Sequence, residues 1–308
     1  MTLVELMVAL AVSLVVVLAA AASLLAARQG FTTMDTATQL RENGRLAMDM
    51  IQRIAVQAGY EDITQGSQKA GVAAFGATVD PDVSGFNNAL FTGSTTSTAL
   101  TTQARSACTA AQGAGTICRN GSDVLVIRYH GSDHYDGTTA DGSIINCAGV
   151  AEHHDPDPTK RPYSIFHVQL SNGEPTLMCS YMKEDKSGWV TEPLVAGVES
   201  FQVLYGVHQS STKDDTANQY LRADQITTPA DWAKVRTLKI GLLLRGDAST
   251  RVDYASTNTF HQEGSKFYPL GRSAQTANDA GTELTVADNR LRQVVNFTVQ
   301  LRNSQRAY

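Results

Sequence analysis

Met1-Thr2-Leu3-Val4-Glu5-Leu6 opens a stretch that carries no charge, Gly or Pro from Leu6 to Ala27, 22 residues in all, and that closes at Arg28. Ser13 and Ser23 are its only polar side chains. As a helix it is about 33 Å long, close to the thickness of one hydrocarbon core. A secretory signal peptide has a basic start, a shorter apolar run and a small-residue cleavage site. Nothing basic precedes Leu6 and the apolar run is longer than that, so the stretch reads as a membrane-length helix. Glu5 interrupts its start. A carboxylate at that depth needs a partner or a place near the interface. The amine of Met1, in the same chain or in a neighbour, is the nearest candidate.

The helical pattern continues past Arg28. Gly30 is the first Gly and Pro81 the first Pro. Leu40, Ala47, Ile51, Ile54 and Ala58 recur at helical spacing and form one apolar stripe. Arg41, Glu42, Arg45, Asp49, Gln52 and Arg53 fall mostly off it. Gly59 is a natural stop. The spacing predicts a helix over 3–58, about 84 Å long. Few globular domains need such a rod, whereas a filament with a helical core does. Three regions follow: an apolar helix at 1–27, its amphipathic continuation at 28–59, and a β-rich globular part at 60–308.

Beyond residue 60 no long helix is evident. Residues 60–120 are rich in Gly, Ala, Ser and Thr and read as loops or short strands. Strand patterns then occupy 124–130, 163–170, 176–183, 199–207, 236–245 and 293–301. Asn172-Gly173 between two of them predicts a hairpin. Phe201, Val203 and Tyr205 alternate onto one face. Short helices are expected near 218–223 and 231–235. The fold class is therefore α+β: a long N-terminal helix packed on a mostly antiparallel β-sheet domain.

The N-terminal hexapeptide followed by an apolar helix resembles the mature N-terminus of type IV pilins and type II secretion pseudopilins. Met1 departs from the usual Phe. Leu14 and Ala22 stand where major pilins often carry helix breakers, so the helix is expected to be more continuous. Further segments, Gly197-Val198-Glu199-Ser200-Phe201, Asp231-Trp232-Ala233-Lys234, Gly241-Leu242-Leu243-Leu244-Arg245, Asn289-Arg290-Leu291-Arg292 and Leu301-Arg302-Asn303, are similar in order and spacing to the PilW family of minor pilins.

That resemblance implies cleavage of a basic leader by a prepilin peptidase and methylation at Met1. It also implies an axial register set by Glu5 against a neighbour's amine. The implied partners are other minor pilins and the major pilin through the N-terminal helix, with a large pilus-tip adhesin as a further one. The implied location is the inner membrane before assembly, with a periplasmic domain, and the extracellular pilus afterwards. The function expected is a minor pilin that helps initiate assembly and sits at or near the tip. Three alternatives stand beside it: a J-type minor pseudopilin of a secretion system, the main subunit of its own filament, and a signal-anchored periplasmic enzyme or sensor.

Four cysteines, Cys108, Cys118, Cys147 and Cys179, allow three pairings. An exported domain makes disulfides the default. Cys108–Cys118 with Cys147–Cys179 is favoured, because the first closes a short Gly-rich loop. Histidines and acids gather at His130, Asp133, His134, Asp136 and Asp141, and again at His153, His154, Asp155 and Asp157. They lack the spacing of a calcium loop and read as solvated loops rather than a metal site. No nucleophile elbow, zinc motif or phosphate loop is present, so no catalytic residue and no cofactor is expected. A net charge of −5 argues against a surface built for nucleic acid.

Overall fold

The computed structural model describes residues 2–61, 81–94, 102–103, 120–155, 160–208, 216–246, 265–276, 279–286, 288 and 290–303. Helix α1 spans Leu3–Ala55 without a break, about 80 Å of rod. It passes through Leu14, Ala22 and Gly30 undisturbed, the continuity the sequence predicts. The helix ends at Ala55, three residues before the expected 58, and a turn then leads to Gly59, which adopts φ +67°.

The strands are β1 (Val83–Phe86), β2 (Leu90–Phe91), β3 (Thr102–Gln103), β4 (Val124–Arg128), β5 (Tyr163–Ser171), β6 (Glu174–Met182), β7 (Trp189–Ala196), β8 (Val198–Val207), β9 (Gln219–Leu221), β10 (Val235–Arg245), β11 (Ser265–Phe267), β12 (Leu284–Val286) and β13 (Arg292–Gln300). A short helix α2 (Pro229–Trp232) precedes β10. One sheet runs β1-β4-β5-β6-β7, a second runs β13-β10-β8-β9, and β2-β3 and β11-β12 are small pairs. Every pairing is antiparallel. The β5–β6 hairpin turns on Asn172 (φ 51°) and Gly173 (φ 82°), the left-handed pair that a tight two-residue turn demands.

One expected helix is absent, one strand was not anticipated and one helix is displaced. The stretch 218–223 contains strand β9, not a helix; six residues are too few for a periodicity to discriminate. β7 escapes the sequence reading because Glu192 and Pro193 interrupt its apolar pattern. The expected helix at 231–235 appears earlier, as Pro229–Trp232, capped by Thr228. Most of 60–120 lies outside the described residues.

The core lies between the second half of α1 and the two main sheets. Thr36, Leu40, Gly44, Ala47, Ile51, Ile54 and Ala55 are the buried positions of α1, and Ala58 is buried just beyond it. The predicted stripe is thus the packed face. Burying each large aliphatic side chain stabilises the seam by about 1.5–3 kcal/mol. Thr36 and Gly44 also lie on it but carry no apolar signal. Gly44 is there for close approach: a Cβ on it would stand 2.8 Å from Val295 Cγ2 of β13. The helix end is pinned as well. Gly59 donates to the Arg128 carbonyl (2.9 Å) and His130 to the Tyr60 carbonyl (2.9 Å). Asn303 Nδ2 donates to the Ala58 carbonyl (2.9 Å).

Candidate assembly interface

Residues 2–35 of α1 are exposed throughout. Leu10 and Leu14 are 62% and 61% exposed, and Phe31 and Met34 more so. This apolar rod projects past the packed stripe, and no described residue covers it. Its Ser and Thr hydroxyls bond back to the helix itself. Ser13 Oγ donates to the Leu10 carbonyl (2.9 Å) and Ser23 Oγ to that of Ala20 (2.8 Å). Thr32 and Thr33 bond back to the preceding turn in the same way. From Leu6 to Ala27 the outer surface is therefore free of charge and of unsatisfied hydroxyls, which is what a hydrocarbon or a helix bundle requires. Among the described residues, α1 is the one helix long and apolar enough to cross a membrane.

At the tip of the rod, Thr2 and Glu5 form a reciprocal cap. Thr2 N–H donates to Glu5 Oε2 (2.8 Å) and Glu5 N–H to Thr2 Oγ1 (3.4 Å). The motif satisfies two backbone donors that a helix start leaves open. Glu5 thus has a partner within the chain that the sequence reading did not anticipate. Met1 lies outside the described residues, and with it the expected methylation and amine pairing.

The remaining candidate residues serve the globular part. Cys147 and Cys179 form a disulfide, with Cα atoms 5.8 Å apart, which ties the loop before β5 to β6. Cys108 and Cys118 lie outside the described residues. Gln57 Oε1 accepts the Ile145 N–H (3.0 Å), so the disulfide loop also leans on the end of α1.

The His and Asp loops hold themselves together. Asp133 Oδ1 is 2.7 Å from His153 Nδ1, and it accepts the His154 N–H (3.0 Å). Asp141 accepts Ser132 Oγ (2.8 Å) and the Ser143 N–H (2.8 Å). Asp155 pairs with Lys186 (2.8 Å). Asp136 accepts the Thr138 N–H (3.1 Å), and His134 stands in the same loop. Burial lowers the pKa of His130. Among the described residues no three His, Cys, Asp or Glu groups converge as a metal shell. Asp157 is not among them. Beside these loops a cleft of about 700 Å³ is lined by Glu152, His153, Tyr181, Lys183 and Lys186, among others. Burial raises the Glu152 carboxyl to about 7, against the pull of the Asn146 amide.

Two polar clusters were missed by the sequence reading. Glu199 of β8 accepts Arg292 Nε (2.7 Å) and stands 3.4 Å from Arg245 Nη1. Arg245 also reaches Glu174 (2.8 Å), so β6, β8, β10 and β13 share one charge network. The signal was a charged residue set within or at the end of an apolar strand. The second cluster surrounds Asp123. Its Oδ1 accepts the Asn88 N–H and its Oδ2 the Val203 N–H, both at 2.8 Å. Burial pushes this carboxyl well above the usual range, against those two donors.

Residues 165–303 match the family described as Type IV Pilus-assembly protein W, PilW. The match covers the segments at 197–303 on which the resemblance rested. No curated protein matches. Among solved structures, a type IV-like pilin from Thermus thermophilus is similar at 15% identity, over 60% of this chain and 80% of that one, with a TM-score of 0.32.

Proposed function

We propose that the chain is a minor pilin of the PilW type, held in the inner membrane by the first half of α1 and then packed through it into a pilus, at or near the tip. The observation that carries this reading is a free apolar rod on the same chain as the PilW-matching segment. In this reading 1–27 is the membrane and filament-core helix, 28–59 its amphipathic continuation, and 60–308 the periplasmic, later extracellular, domain. A prepilin peptidase releases Met1, which is methylated. The partners are other minor pilins, the major pilin and a large adhesin.

No catalysis is needed. Helices leave lipid for protein neighbours, and close packing rather than a hydrophobic driving force selects the register. Glu5 supplies the directional element. In a low dielectric its carboxylate attracts a neighbour's terminal amine strongly, and an unpaired partner is costly.

Quantitative mass spectrometry of sheared surface fibres tests the reading. A methylated Met1 peptide at low copy number relative to the main subunit is expected. Its dominance would make this chain the main subunit. Its absence from fibres, with processed protein kept in the envelope, would favour a secretion pseudopilin. Glu5→Gln keeps a side-chain acceptor for the Thr2 N–H but removes the charge. Its incorporation should fall tenfold or more, a factor worth about 1.4 kcal/mol, with membrane insertion unchanged. Wild-type incorporation of Glu5→Gln would remove the charge argument.

A further inference from the structure

The two main sheets have four edges, and three of them are guarded. β1 has four residues and β9 three. β7 is longer but carries Glu192 and Pro193, and its register with β6 is broken between Leu177 and Met178. Short strands, charge, proline and bulges are the usual protections of an exposed edge. β13 has none of them beyond its first residue. Its register with β10 is unbroken over nine pairs, from Thr237↔Gln300 to Arg245↔Arg292. From Gln293 to Leu301 the sequence Gln-Val-Val-Asn-Phe-Thr-Val-Gln-Leu has no charge, Pro or Gly.

The direction of its free groups follows from two hydrogen bonds at the ends of the ladder. Leu301 N–H donates to the Arg236 carbonyl (2.9 Å), and Gly246 N–H to the Leu291 carbonyl (2.8 Å). Antiparallel pairs alternate between bonded and non-bonded. Both anchors put the odd-numbered residues of β13 in the bonded set. The N–H and C=O groups of Val294, Asn296, Thr298 and Gln300 therefore point away from β10. No described residue pairs with them. They span about 20 Å, the length of a strand of six or seven residues. Alongside runs a groove of about 730 Å³ between this edge and α1, lined by Asp49, Gln52, Arg53 and Val56 on one side and Thr298, Gln300 and Arg302 on the other.

We propose that β13 is a docking edge that receives one extended strand from a neighbouring filament subunit of different sequence, completing the second sheet. A row of unpaired backbone donors and acceptors is matched fully only by another strand. The incoming residues that face α1 are polar, to meet Asp49, Gln52 and Arg53 beside Val56. A further copy of this chain is a poor donor. Subunits packed side by side along a filament meet through unlike surfaces, and the other main-sheet edges of this chain are short or guarded. The source of the strand rests on the pilin reading, in which α1 packs beside neighbouring subunits.

The test places the photo-crosslinking residue p-benzoylphenylalanine at Asn296 of the full-length chain in cells. Thr298→Pro removes an outward N–H and leaves the β10 ladder intact, since proline is tolerated at such edge positions. Thr298→Ser is the control. Expected is an adduct to one extended segment of a different filament subunit, reduced tenfold or more by Thr298→Pro and unchanged by Thr298→Ser. An oxidised Cys147–Cys179 pair and unaltered protease resistance certify that the proline variant is folded. Absence of any adduct, an adduct to a second copy of this chain, or undiminished crosslinking in folded Thr298→Pro would overturn the proposal. If the chain is missing from sheared fibres but the adduct forms with an envelope pseudopilin, the pilus reading fails and the docking edge stands.

Discussion

His167 lies wholly inside the first sheet, its Nε2 2.9 Å from Ser180 Oγ and its ring 5.3 Å from that of Phe91. Its Nδ1 has no hydrogen-bond partner among the described residues. Burial lowers its pKa to about 3. The unfolded imidazole gains a proton near pH 6.5, whereas the folded one does not until far lower. Its neutral form therefore leaves stability intact above pH 6.5. As pH falls from there toward 3, the unfolded state gains about 1.4 kcal/mol per unit. His167→Leu should flatten this limb. Between pH 7 and pH 5 the variant is expected to lose about 2 kcal/mol less than the wild type in urea denaturation. The comparison must be made against the wild type, because Glu152, held up to about 7, contributes a slope of opposite sign. An identical pH dependence in the two proteins would contradict the assignment. No sequence pattern distinguishes His167 from the surface histidines. It sits in a β-strand run, but only the packing of β5 between β4 and β6 removes it from water.

At the scale of elements, α1 was the most legible part of the chain. Its apolar stripe follows from spacing, its continuity through Leu14 and Ala22 from the resemblance, and the helix ends at Ala55, three residues before the expected 58. The strand runs at 124–130, 163–170, 176–183, 199–207, 236–245 and 293–301 were legible too, because each carries a sustained apolar pattern bounded by turn residues. Gly44 was not. Its role depends on Val295, 251 positions away by subtraction, which no local pattern contains. The contact yields a prediction. Gly44→Val forces a branched side chain into the helix–sheet seam and should destabilise by about 1–3 kcal/mol, read as a lower urea midpoint in detergent. A substitution at Gly30, which has nothing within 4 Å, serves as the control. Equal behaviour of the two positions would mean that α1 does not seat on β13 as described.

Across the whole molecule, the short segment 120–123 decides how the two sheets are joined. Asp123 N–H donates to the Phe201 carbonyl (2.8 Å), Phe201 N–H to Ser122 Oγ (3.1 Å), and Gln202 Nε2 to the Gly121 carbonyl (2.7 Å). β8 is consequently buried on both faces, Ser200 and Gln202 included, where alternation alone predicted one apolar face. Asp123→Asn can still accept one N–H but turns its amide NH2, a donor, toward the other. It should cost about 1–3 kcal/mol for the donor left without an acceptor, in a single unfolding transition. Two separate transitions would show that the sheets are not coupled through this seam. The candidate interface was legible because a membrane-length apolar run is a composition signal. The seam, the Glu199–Arg245–Arg292 network and the open edge of β13 are products of topology, and they appear only once distant segments are placed side by side.

The long contact between α1 and the sheets has a mechanical consequence. Its buried face, from Thr36 to Ala55, extends about 29 Å along the helix axis. Tension applied along that axis would load the contacts of this face together, in shear. None could be peeled away singly, as the pairs of a hairpin can when its ends are pulled apart. Gly44 notched against Val295 would act as a detent against sliding. A rod seated in this way can be soft to bending at its free end and still resist extraction from the body that carries it.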